Sequence, residues 1–366
     1  MADAPQGKTV VCVIFGGISS EHDISQRSAD TVIRALDTDR YDVVLVGITK
    51  DGTWLRYRGG VEDVFGGQWE THDCTRAFVT PSREVHGLVE LRDDGTYATT
   101  RVDVMLPVLH GRGGEDGSIQ GLFELSGVPY VGCGILASAL GMDKATTYGL
   151  VEAVGVRCPR CHTLRGEIDM NQAREYAADL GYPLVVKPAN GGSSFGVSKV
   201  ENEEQLEGAL REARSLDAKI CMESAVSGCE VGCGVLGAAG GELIAGMPDQ
   251  ITVQSGFFHI HQEAKPGENK ENARIVCPAE LPAGVIAKAQ QTAKKIYAAL
   301  GCDGLTRVDM FLTPEGEFVF NEVNTLPGMT YYSRYPAMMR AAGYEMGDVL
   351  DRVIALALER GTADRH

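Results

Sequence analysis

The chain has 366 residues, of which 44% are hydrophobic and 23% are charged, an ordinary composition for a soluble globular protein. Its 34 basic and 50 acidic residues give a formal net charge of −16. This charge argues against nucleic acid and anionic membranes as partners, because both attract basic surfaces. The chain is longer than a single domain with one hydrophobic core usually is, so we expect two or three domains.

The N-terminal region predicts the start of an α/β domain. A polar stretch at residues 1–8 and an apolar run at 10–15 that stops at Gly16-Gly17 do not form a secretory signal. Since no run approaches the roughly 20 apolar residues of a membrane span, we predict a cytoplasmic protein. Residues 10–15 predict a buried strand, after which Ser19 or Ser20 would cap a helix. A strand at 41–48 completes an order typical of a parallel sheet.

The end of the first domain carries a dense polar motif. A strand predicted at residues 102–109 runs directly into His110-Gly-Arg-Gly-Gly-Glu115-Asp116-Gly117. A helix over 118–126 and a short strand over 128–131 are expected next. We therefore expect the first domain to cover residues 1–141.

The central region predicts a compact domain over residues 142–228. Met142-Asp143-Lys144 opens a helix, and residues 159–228 follow as strand, helix, strand, Gly/Ser loop, strand, helix and strand. Cys158-Pro-Arg-Cys161-His162 has the spacing of a c-type haem attachment site, but haem attachment requires export. A zinc site would need a second paired cluster, so we interpret the 10 cysteines as reduced, partly buried thiols.

The Gly/Ser loop at residues 191–196 is a candidate phosphate site. Its glycines let backbone N–H groups approach phosphates, and its serine hydroxyls add donors. Such a loop alone is usually a turn, and it is not a Walker A loop because no Gly-Lys-Ser/Thr follows it. Lys187 stands just upstream at a strand end, and Lys144 opens a helix. Two lysines beside this loop indicate a nucleotide.

The third predicted domain covers residues 229–366. It begins with strands and contains an irregular stretch over 254–273 that is long for a compact domain and is typical of a lid or binding loop. A helix over about 282–300 precedes a β-hairpin, and two helices end the chain.

The hairpin carries the residues most indicative of chemistry. Its strands contain Arg307-Val-Asp309 and Asn321-Glu322-Val-Asn324, with a Pro-Glu-Gly turn between them. Alternation places Arg307 and Asp309 on one face, and it does the same for Glu322 and Asn324. Carboxylate and amide oxygens suit Mg²⁺, whose shell nucleotide phosphates often complete. For these residues alone, a solvated face with surface ion pairs is the alternative.

The motifs in their chain order resemble the D-alanine–D-alanine ligase family of ATP-grasp enzymes over about the whole chain. They are Gly16-Gly17 with Glu21-His22-Asp23-Ile24-Ser25, the His110 to Gly117 segment, Met142-Asp143-Lys144, Lys187-Pro188 with Ser193-Ser194, Glu230, Arg307-x-Asp309 and Asn321-Glu322-x-Asn324-x-x-Pro327-Gly328. Ser333-Arg334-Tyr335-Pro336 and Phe257-Phe258-His259-Ile260-His261-Gln262-Glu263 resemble the vancomycin-resistance branch that makes D-alanyl-D-lactate. The resemblance implies an α/β fold, α+β in part, of the three-domain ATP-grasp type, in which the N-terminal domain is a parallel α/β domain that binds substrate.

The resemblance also implies a cofactor site between the second and third domains. ATP would contact Lys144, Lys187, Ser194, Glu223, Ser224, Ala225, Val226, Glu230, Phe257 and Asn321. Asp309, Glu322 and Asn324 would hold Mg²⁺, with Mn²⁺ as a substitute and two ions expected. The metal would neutralise charge while the γ-phosphate moves to the carboxylate of the first D-alanine.

The substrate residues follow from the same resemblance. Glu21 would fix the ammonium of the first D-alanine, and Arg307 with the backbone near Gly328 would stabilise the oxyanion formed in acyl transfer. Ser193 and Ser333 would bind the carboxylate of the second substrate. The remaining substrate-binding residues would be His110, Glu115, His261 and Arg334.

The acceptor is predicted from the long loop. D-Alanyl-D-alanine ligases carry a tyrosine there, whereas this loop offers His261. An imidazolium would attract the carboxylate of D-lactate and disfavour the ammonium of D-alanine. The product would weaken vancomycin binding, because an ester oxygen replaces an amide N–H.

Other functions remain open at this point. D-alanine–D-alanine or D-alanine–D-serine ligation on the same scaffold and a catalytically silent ATP-binding module are the alternatives. A different ATP-grasp amino-acid ligase is disfavoured by the Glu21 and His110 motifs. The family makes a homodimer the expected assembly, with D-alanine and D-lactate as small-molecule partners.

Overall fold

The computed structural model describes residues 7–192, 195–253 and 273–363, and the strands within these ranges form three sheets. The first sheet contains β1 (Thr9–Gly16), β2 (Tyr41–Ile48), β3 (Trp54–Tyr57), β4 (Cys74–Val79), β5 (Gly87–Leu91), β6 (Tyr97–Arg101) and β7 (Val104–Val108). Their order is β6-β5-β4-β3-β2-β1-β7. β1 lies parallel to β2 and β7, which confirms the predicted parallel sheet. The strands from β2 to β6 extend it as antiparallel neighbours, an extension that we did not predict.

The helices of this part flank the sheet. They are α1 (His22–Ala35), α2 (Glu62–Phe65), a 3-10 turn (Gln68–Thr71), α3 (Ser118–Ser126) and α4 (Ile135–Met142). The predicted serine cap of α1 is wrong, because Glu21 is its N-cap residue without a side-chain cap. Ser19 Oγ instead accepts the N–H of Glu21 and donates to the carbonyl of His110. The strand predicted at residues 128–131 is reduced to one bridge between Met105 and Tyr130.

The second sheet forms the central part as predicted. Its elements are α5 (Lys144–Ala153), β8 (Cys161–Arg165), α6 (Met170–Leu180), β9 (Leu184–Pro188), β10 (Ser198–Val200), α7 (Glu203–Leu216) and β11 (Lys219–Ser224). The strands pair antiparallel in the order β10-β9-β11-β8. Apolar side chains of α6 and α7 pack on this sheet in a core drawn from the same elements, among them Leu184, Leu206 and Met222.

The third sheet contains the predicted hairpin. Its elements are β12 (Cys229–Gly237), β13 (Leu243–Ala245), β14 (Asp249–Val253), β15 (Ala273–Val276), α8 (Ala283–Ala299), β16 (Gly304–Leu312), β17 (Phe318–Asn324), α9 (Arg334–Ala341) and α10 (Met346–Ala363). The strand order is β15-β14-β12-β16-β17, and β13 pairs with β12. β16 opposes β17 with Arg307 facing Asn324 and Asp309 facing Glu322, as alternation predicted.

One hydrophobic core joins the first and third parts of the chain. Val13 and Phe15 of β1 belong to the same buried cluster as Tyr335 of α9 and Val353 of α10. The domain divisions after residues 141 and 228 stay predictions, since packing crosses them: Tyr148 of α5 lies in a core with the third sheet. Among the helices of the described ranges, none has both the length and the apolarity to cross a membrane.

Candidate active site

A cavity of about 590 Å³ lies where the carboxyl ends of β1 and β7 meet the hairpin of β16 and β17. Ligands of open α/β sheets commonly bind at the carboxyl ends of the parallel strands. Residues of the second and third sheets line the cavity, together with residues of the segments that follow β1 and β7. Those that the sequence singled out are Glu21, His110, Glu115, Lys144, Arg307, Glu322, Asn324, Gly328, Ser333 and Arg334. The structure therefore gathers 10 of the 22 predicted site residues in one cavity.

A glycine turn directs Glu21 into this cavity. Gly16 and Gly17 have φ values of +88° and +96°, and a Cβ on Gly16 would lie 2.1 Å from the carbonyl oxygen of Ile48. Only glycine fits such a turn without strain. A Cβ on Gly111 would lie 2.7 Å from Glu21 Oε2, so the carboxylate packs closely against the His110 loop.

His110 links the first sheet to the loop after β17. Its Nδ1 lies 2.9 Å from the carbonyl oxygen of Leu326, and its Nε2 lies 3.1 Å from Ser28 Oγ. Because a carbonyl can only accept, Nδ1 carries the proton and Ser28 donates to Nε2. Burial lowers the pKa of His110, so the neutral ring is favoured. Ser28 Oγ also accepts the N–H of Met329, and this network fixes the loop that contains Gly328.

Glu115 holds the same loop from the other side. Its two oxygens accept the backbone N–H groups of Gly111 and Leu326, each at 2.9 Å. Burial, with the neighbouring Glu21 carboxylate, raises the pKa of Glu115 to about 7. The side chain is thus a structural support at the cavity wall.

Lys144 opens α5 at the edge of the cavity, as predicted. Asp143 caps the helix by accepting the N–H of Thr146 at 3.1 Å. Lys144 Nζ donates to the carbonyl oxygen of Gly191 at 2.5 Å and lies 3.2 Å from Glu322 Oε2. The ammonium therefore stands between the Gly/Ser loop and a predicted metal ligand.

Lys187 is buried in a cluster that the sequence did not reveal. Its Nζ lies 2.8 Å from Glu223 Oε2 and donates to the hydroxyl of Tyr148 at 3.1 Å, and that hydroxyl donates to Glu223 Oε1 at 2.9 Å. Burial opposes the charge of Lys187, but the Glu223 carboxylate outweighs it and raises the pKa of the lysine. The carboxylate of Glu223 is thus occupied by Lys187 and Tyr148.

The other predicted nucleotide residues surround this cluster. Ser224, Ala225 and Val226 follow Glu223 at half-buried positions, and Ser224 Oγ accepts the N–H of Arg160. The pairing of β16 and β17 shifts next to Asn321, which is the extra residue of a β-bulge. Bulges often lie beside active sites, where they redirect a strand.

Asp309 lies behind the cavity wall rather than at its surface. Arg307 donates to both of its oxygens, with Nη2 to Oδ2 at 2.7 Å, and Asn324 Nδ2 donates to Oδ2 at 3.0 Å. Burial opposes ionisation, but the guanidinium groups hold the pKa of Asp309 below its usual range. Asp309 is therefore an ionised carboxylate with cationic neighbours already in contact.

Arg334 takes part in a network that sequence reasoning missed. Its Nε and Nη2 donate to Asp249 at 2.6 and 2.9 Å, and its Nη1 donates to Glu230 Oε1 at 2.7 Å. Nη2 also lies 3.2 Å from Asp309 Oδ1. Burial raises the pKa of Glu230 to about 7. A substrate carboxylate at Arg334 would thus compete with these carboxylates.

Ser333 and Gly328 lie close together on the cavity wall. Ser333 Oγ accepts the N–H of Thr330 at 3.1 Å, and a Cβ on Gly328 would lie 2.9 Å from Ser333 Oγ. The backbone at Gly328 can therefore approach a ligand without side-chain interference.

The predicted metal ligands fit a hard divalent cation in their chemistry. Glu322 and Asn324 line the cavity, and since Asn324 uses its Nδ2 toward Asp309, its Oδ1 is the atom left for a cation. Asp309 would share its oxygens between a cation and the guanidinium groups. Oxygen donors of this kind suit Mg²⁺.

Four predicted residues lie outside the described residues: Ser193, Ser194, Phe257 and His261. Their roles stay predictions. Sequence reasoning missed Ser28, Tyr148 and Asp249, which contact the predicted site residues His110, Glu223 and Arg334. Each is a single polar residue within a helix or strand, and its partners are far away in the chain, so no local pattern marks it.

Comparison with protein families finds two matches. Residues 10–133 match the family model described as D-ala D-ala ligase N-terminus, and residues 150–355 match D-ala D-ala ligase C-terminus. Together these matches cover most of the chain.

Comparison with individual proteins gives relatives of similar length. The chain is 50% identical to a Streptomyces coelicolor protein named "Putative D-alanine–D-lactate ligase", over 95% of this chain and 97% of that protein. It is 47% identical to the vancomycin/teicoplanin A-type resistance protein VanA of Enterococcus faecium, over 95% and 98%. The crystal structure of the VanG D-Ala:D-Ser ligase from Enterococcus faecalis superposes with a TM-score of 0.88 at 40% identity, covering 96% of this chain and 100% of that chain.

Proposed function

This chain belongs to the D-alanine–D-alanine ligase family, and we propose that it joins D-alanine to D-lactate while ATP is converted to ADP and phosphate. One observation carries the proposal: a single cavity gathers a carboxylate for an ammonium, a lysine for phosphates and oxygens for a divalent cation. Glu21, Lys144, Glu322 and Asn324 supply these groups. The relatives named as a D-lactate ligase and as VanA support D-lactate as the acceptor.

The first substrate would be held at the glycine turn. Glu21 would accept hydrogen bonds from the ammonium of D-alanine, and the substrate carboxylate would then face Lys144 and Arg307, which line the same cavity. Holding both ends of a small substrate fixes the reacting oxygen against a phosphate and lowers the entropic part of the barrier. Ionic contacts at both ends also exclude substrates that lack an ammonium.

The phosphates would be neutralised by the ammonium groups of Lys144 and Lys187. Lys144 contacts Glu322, and Lys187 contacts Glu223, so each carboxylate holds an ammonium near the path of a nucleotide. Asp309, Glu322 and Asn324 would hold Mg²⁺, or Mn²⁺, which when bound neutralises charge on the phosphates. We propose two ions, with nucleotide oxygens completing their shells.

Acyl transfer to the second substrate would occur beside Gly328. The Ser28–His110 network and the carboxylate of Glu115 fix the loop from Leu326 to Met329, so the backbone N–H of Gly328 would be preorganised for an oxyanion. Such preorganised donors are usually the largest contribution to acyl-transfer catalysis. Ser333 would bind the acceptor carboxylate together with Ser193.

D-Lactate differs from D-alanine in lacking an ammonium. His261, as an imidazolium near neutral pH, would repel an ammonium and attract a carboxylate. The product would end in an ester that lacks the amide N–H of D-alanyl-D-alanine, which is the change expected of a vancomycin-resistance precursor. We also propose a homodimer, which sedimentation of the purified chain would test.

The test is an ADP-release assay with D-alanine plus D-lactate, D-alanine or D-serine as the acceptor, followed across pH with mass analysis of the products. We expect D-alanyl-D-lactate to predominate below neutral pH. Preferred use of D-alanine as acceptor in that range would overturn the D-lactate assignment. Absence of ADP release with every acceptor would favour a silent ATP-binding module.

The acceptor assignment can be tested at one residue. His261→Tyr should lower the yield of D-alanyl-D-lactate and raise the relative yield of D-alanyl-D-alanine, because the positive charge is lost. The histidine His259, which stands two residues away in the same segment, offers His259→Tyr as a matched control. An unchanged product ratio in His261→Tyr would show that this residue does not select the acceptor.

A further inference from the structure

Two thiols and a carboxylate converge on one face of the central sheet. Cys161 of β8 lies directly opposite Glu223 of β11, and Cys221 stands two residues before Glu223 on the same strand. Side chains two apart on a strand share a face, so all three point the same way. Their ligand atoms lie within 4.8 Å of one another, a convergence found once among the His, Cys, Asp and Glu residues that the structure describes.

The arrangement does not suit a disulfide. Cys221 pairs directly with Thr163, so Cys161 and Cys221 are diagonal neighbours. Diagonal positions of paired strands are about 7–8 Å apart, whereas a disulfide joins Cα atoms no more than about 6.8 Å apart. The two sulfur atoms nevertheless lie within 4.8 Å of each other, which leaves them placed to share a ligand.

We propose that Cys161, Cys221 and Glu223 form a binding site for a thiophilic divalent cation of the Zn²⁺ or Cd²⁺ type. Two sulfur ligands and one carboxylate oxygen supply three positions of a tetrahedral shell. A water molecule completes it from a cavity of about 580 Å³ that Cys161 lines together with Thr163 and Tyr148. The hard oxygen site at Glu322 lacks sulfur and suits Mg²⁺, so the two sites differ in the metals that they select.

Binding releases protons from the two thiols. A metal is bound by the thiolate form of cysteine, so each thiol that becomes a ligand gives up its proton. The cation takes the place of the thiol protons, which pass to solvent, and no oxidant or reductant takes part. Metal affinity therefore increases with pH.

The site is coupled to the nucleotide residues through Glu223. The same carboxylate contacts Lys187 at 2.8 Å and accepts from Tyr148 at 2.9 Å. A cation bound to this carboxylate takes it away from Lys187 and repels the ammonium, so the lysine loses the position in which it would meet a phosphate. This coupling rests on the proposed function. It makes the thiophilic cation an antagonist of ATP binding.

The binding test uses the reduced full-length protein without nucleotide, with excess Mg²⁺ to fill oxygen sites. Titration with Cd²⁺ should give a sulfur-to-metal charge-transfer band that saturates at one equivalent. Cys161→Ser and Cys221→Ser should each lower the affinity at least tenfold. Cys229→Ser is the matched control, since this half-buried thiol lies outside the cluster and should change nothing. A band of equal strength in Cys161→Ser, or no band in the wild type, would overturn the site.

A second measurement does not depend on any variant folding. X-ray absorption of the Zn²⁺-loaded wild-type protein should show two sulfur ligands at about 2.3 Å. A shell of nitrogen and oxygen alone would overturn the assignment.

The coupling is tested separately by calorimetric titration of ADP with Mg²⁺. Prior loading with Cd²⁺ should weaken ADP binding severalfold in the wild type and leave it unchanged in Cys161→Ser. Unaltered ADP binding in a protein that shows the charge-transfer band would overturn the antagonism while the metal site stands.

Discussion

The replacement Gly232→Ala probes the carboxylate network around Arg334. Gly232 lies on β12 opposite Asp309, and its N–H donates to Asp249 Oδ1 at 2.9 Å. A Cβ at this position would lie 2.4 Å from Arg334 Nη2, 2.7 Å from Asp249 Oδ1 and 2.8 Å from Asp309 Oδ1. Ordinary contact begins at 3.4 Å, so the guanidinium must move by 3.4 − 2.4 = 1.0 Å. That movement breaks hydrogen bonds that are now 2.6 to 2.9 Å long.

The size of the effect follows from two contributions. Overpacking a filled site costs about 1–3 kcal/mol, and separating one partner of a buried ion pair costs about 3–5 kcal/mol when nothing relaxes. Because Glu230 can follow the guanidinium in part, we expect a loss of about 2–4 kcal/mol in the free energy of unfolding. Scanning calorimetry should then show a melting temperature lower by roughly 3–5 °C.

The matched control is Gly208→Ala in α7. Its Cβ would meet nothing within 4 Å, and the position is exposed. Alanine has a higher helix propensity than glycine, so this variant should be unchanged or more stable by up to about 1 kcal/mol. A melting temperature of Gly232→Ala within 1 °C of the wild type, measured beside this control, would refute the argument that Arg334 is held rigidly.

Three further changes test the supports of the cavity. Ser28→Ala removes the donor to His110 Nε2 and should lower the rate of ligation at least tenfold with little change in ADP affinity, as measured by steady-state kinetics and calorimetry. Tyr148→Phe leaves Glu223 without one donor and should destabilise the protein by about 1–3 kcal/mol in urea unfolding. Glu115 has its pKa raised from 4.5 to about 7, so its contribution to stability is greatest below pH 4.5 and is lost as the pH rises through 7. Glu115→Gln should remove that part of the pH dependence, and an unchanged pH profile would contradict this assignment.

The parts of the site that sequence predicted are those that a local pattern specifies. The Gly16-Gly17 turn, the lysine at the start of α5 and the alternating faces of β16 and β17 each follow from a few adjacent residues. Alternation also placed Arg307 and Asp309 on one face, although it did not show that Asp309 lies behind the cavity wall.

The parts that sequence did not predict depend on contacts between distant residues. Arg334 donates hydrogen bonds to Asp249 and Glu230, from which it is separated by 85 and 104 positions in the sequence. No periodic pattern of apolar residues indicates such contacts, because they depend on how β12, β14 and α9 pack against one another. The antiparallel strands from β3 to β6 were missed for a different reason. They are short, and β6 alternates between exposed and half-buried residues, which gives little apolar signal.

The separate core of the central sheet has a consequence for recombination between relatives. The cluster that includes Leu164, Leu184 and Leu210 draws its members from β8 to β11, α6 and α7 alone. Helix α5, by contrast, contributes Tyr148 and Val151 to the core of the third sheet. A chimera that exchanges residues 159–228 therefore carries its own complete interior. One that exchanges residues 142–228 also transfers Tyr148 and Val151, which belong to the core of the third sheet. We therefore expect chimeras of family members that exchange residues 159–228 to fold, and chimeras that exchange residues 142–228 to be destabilised.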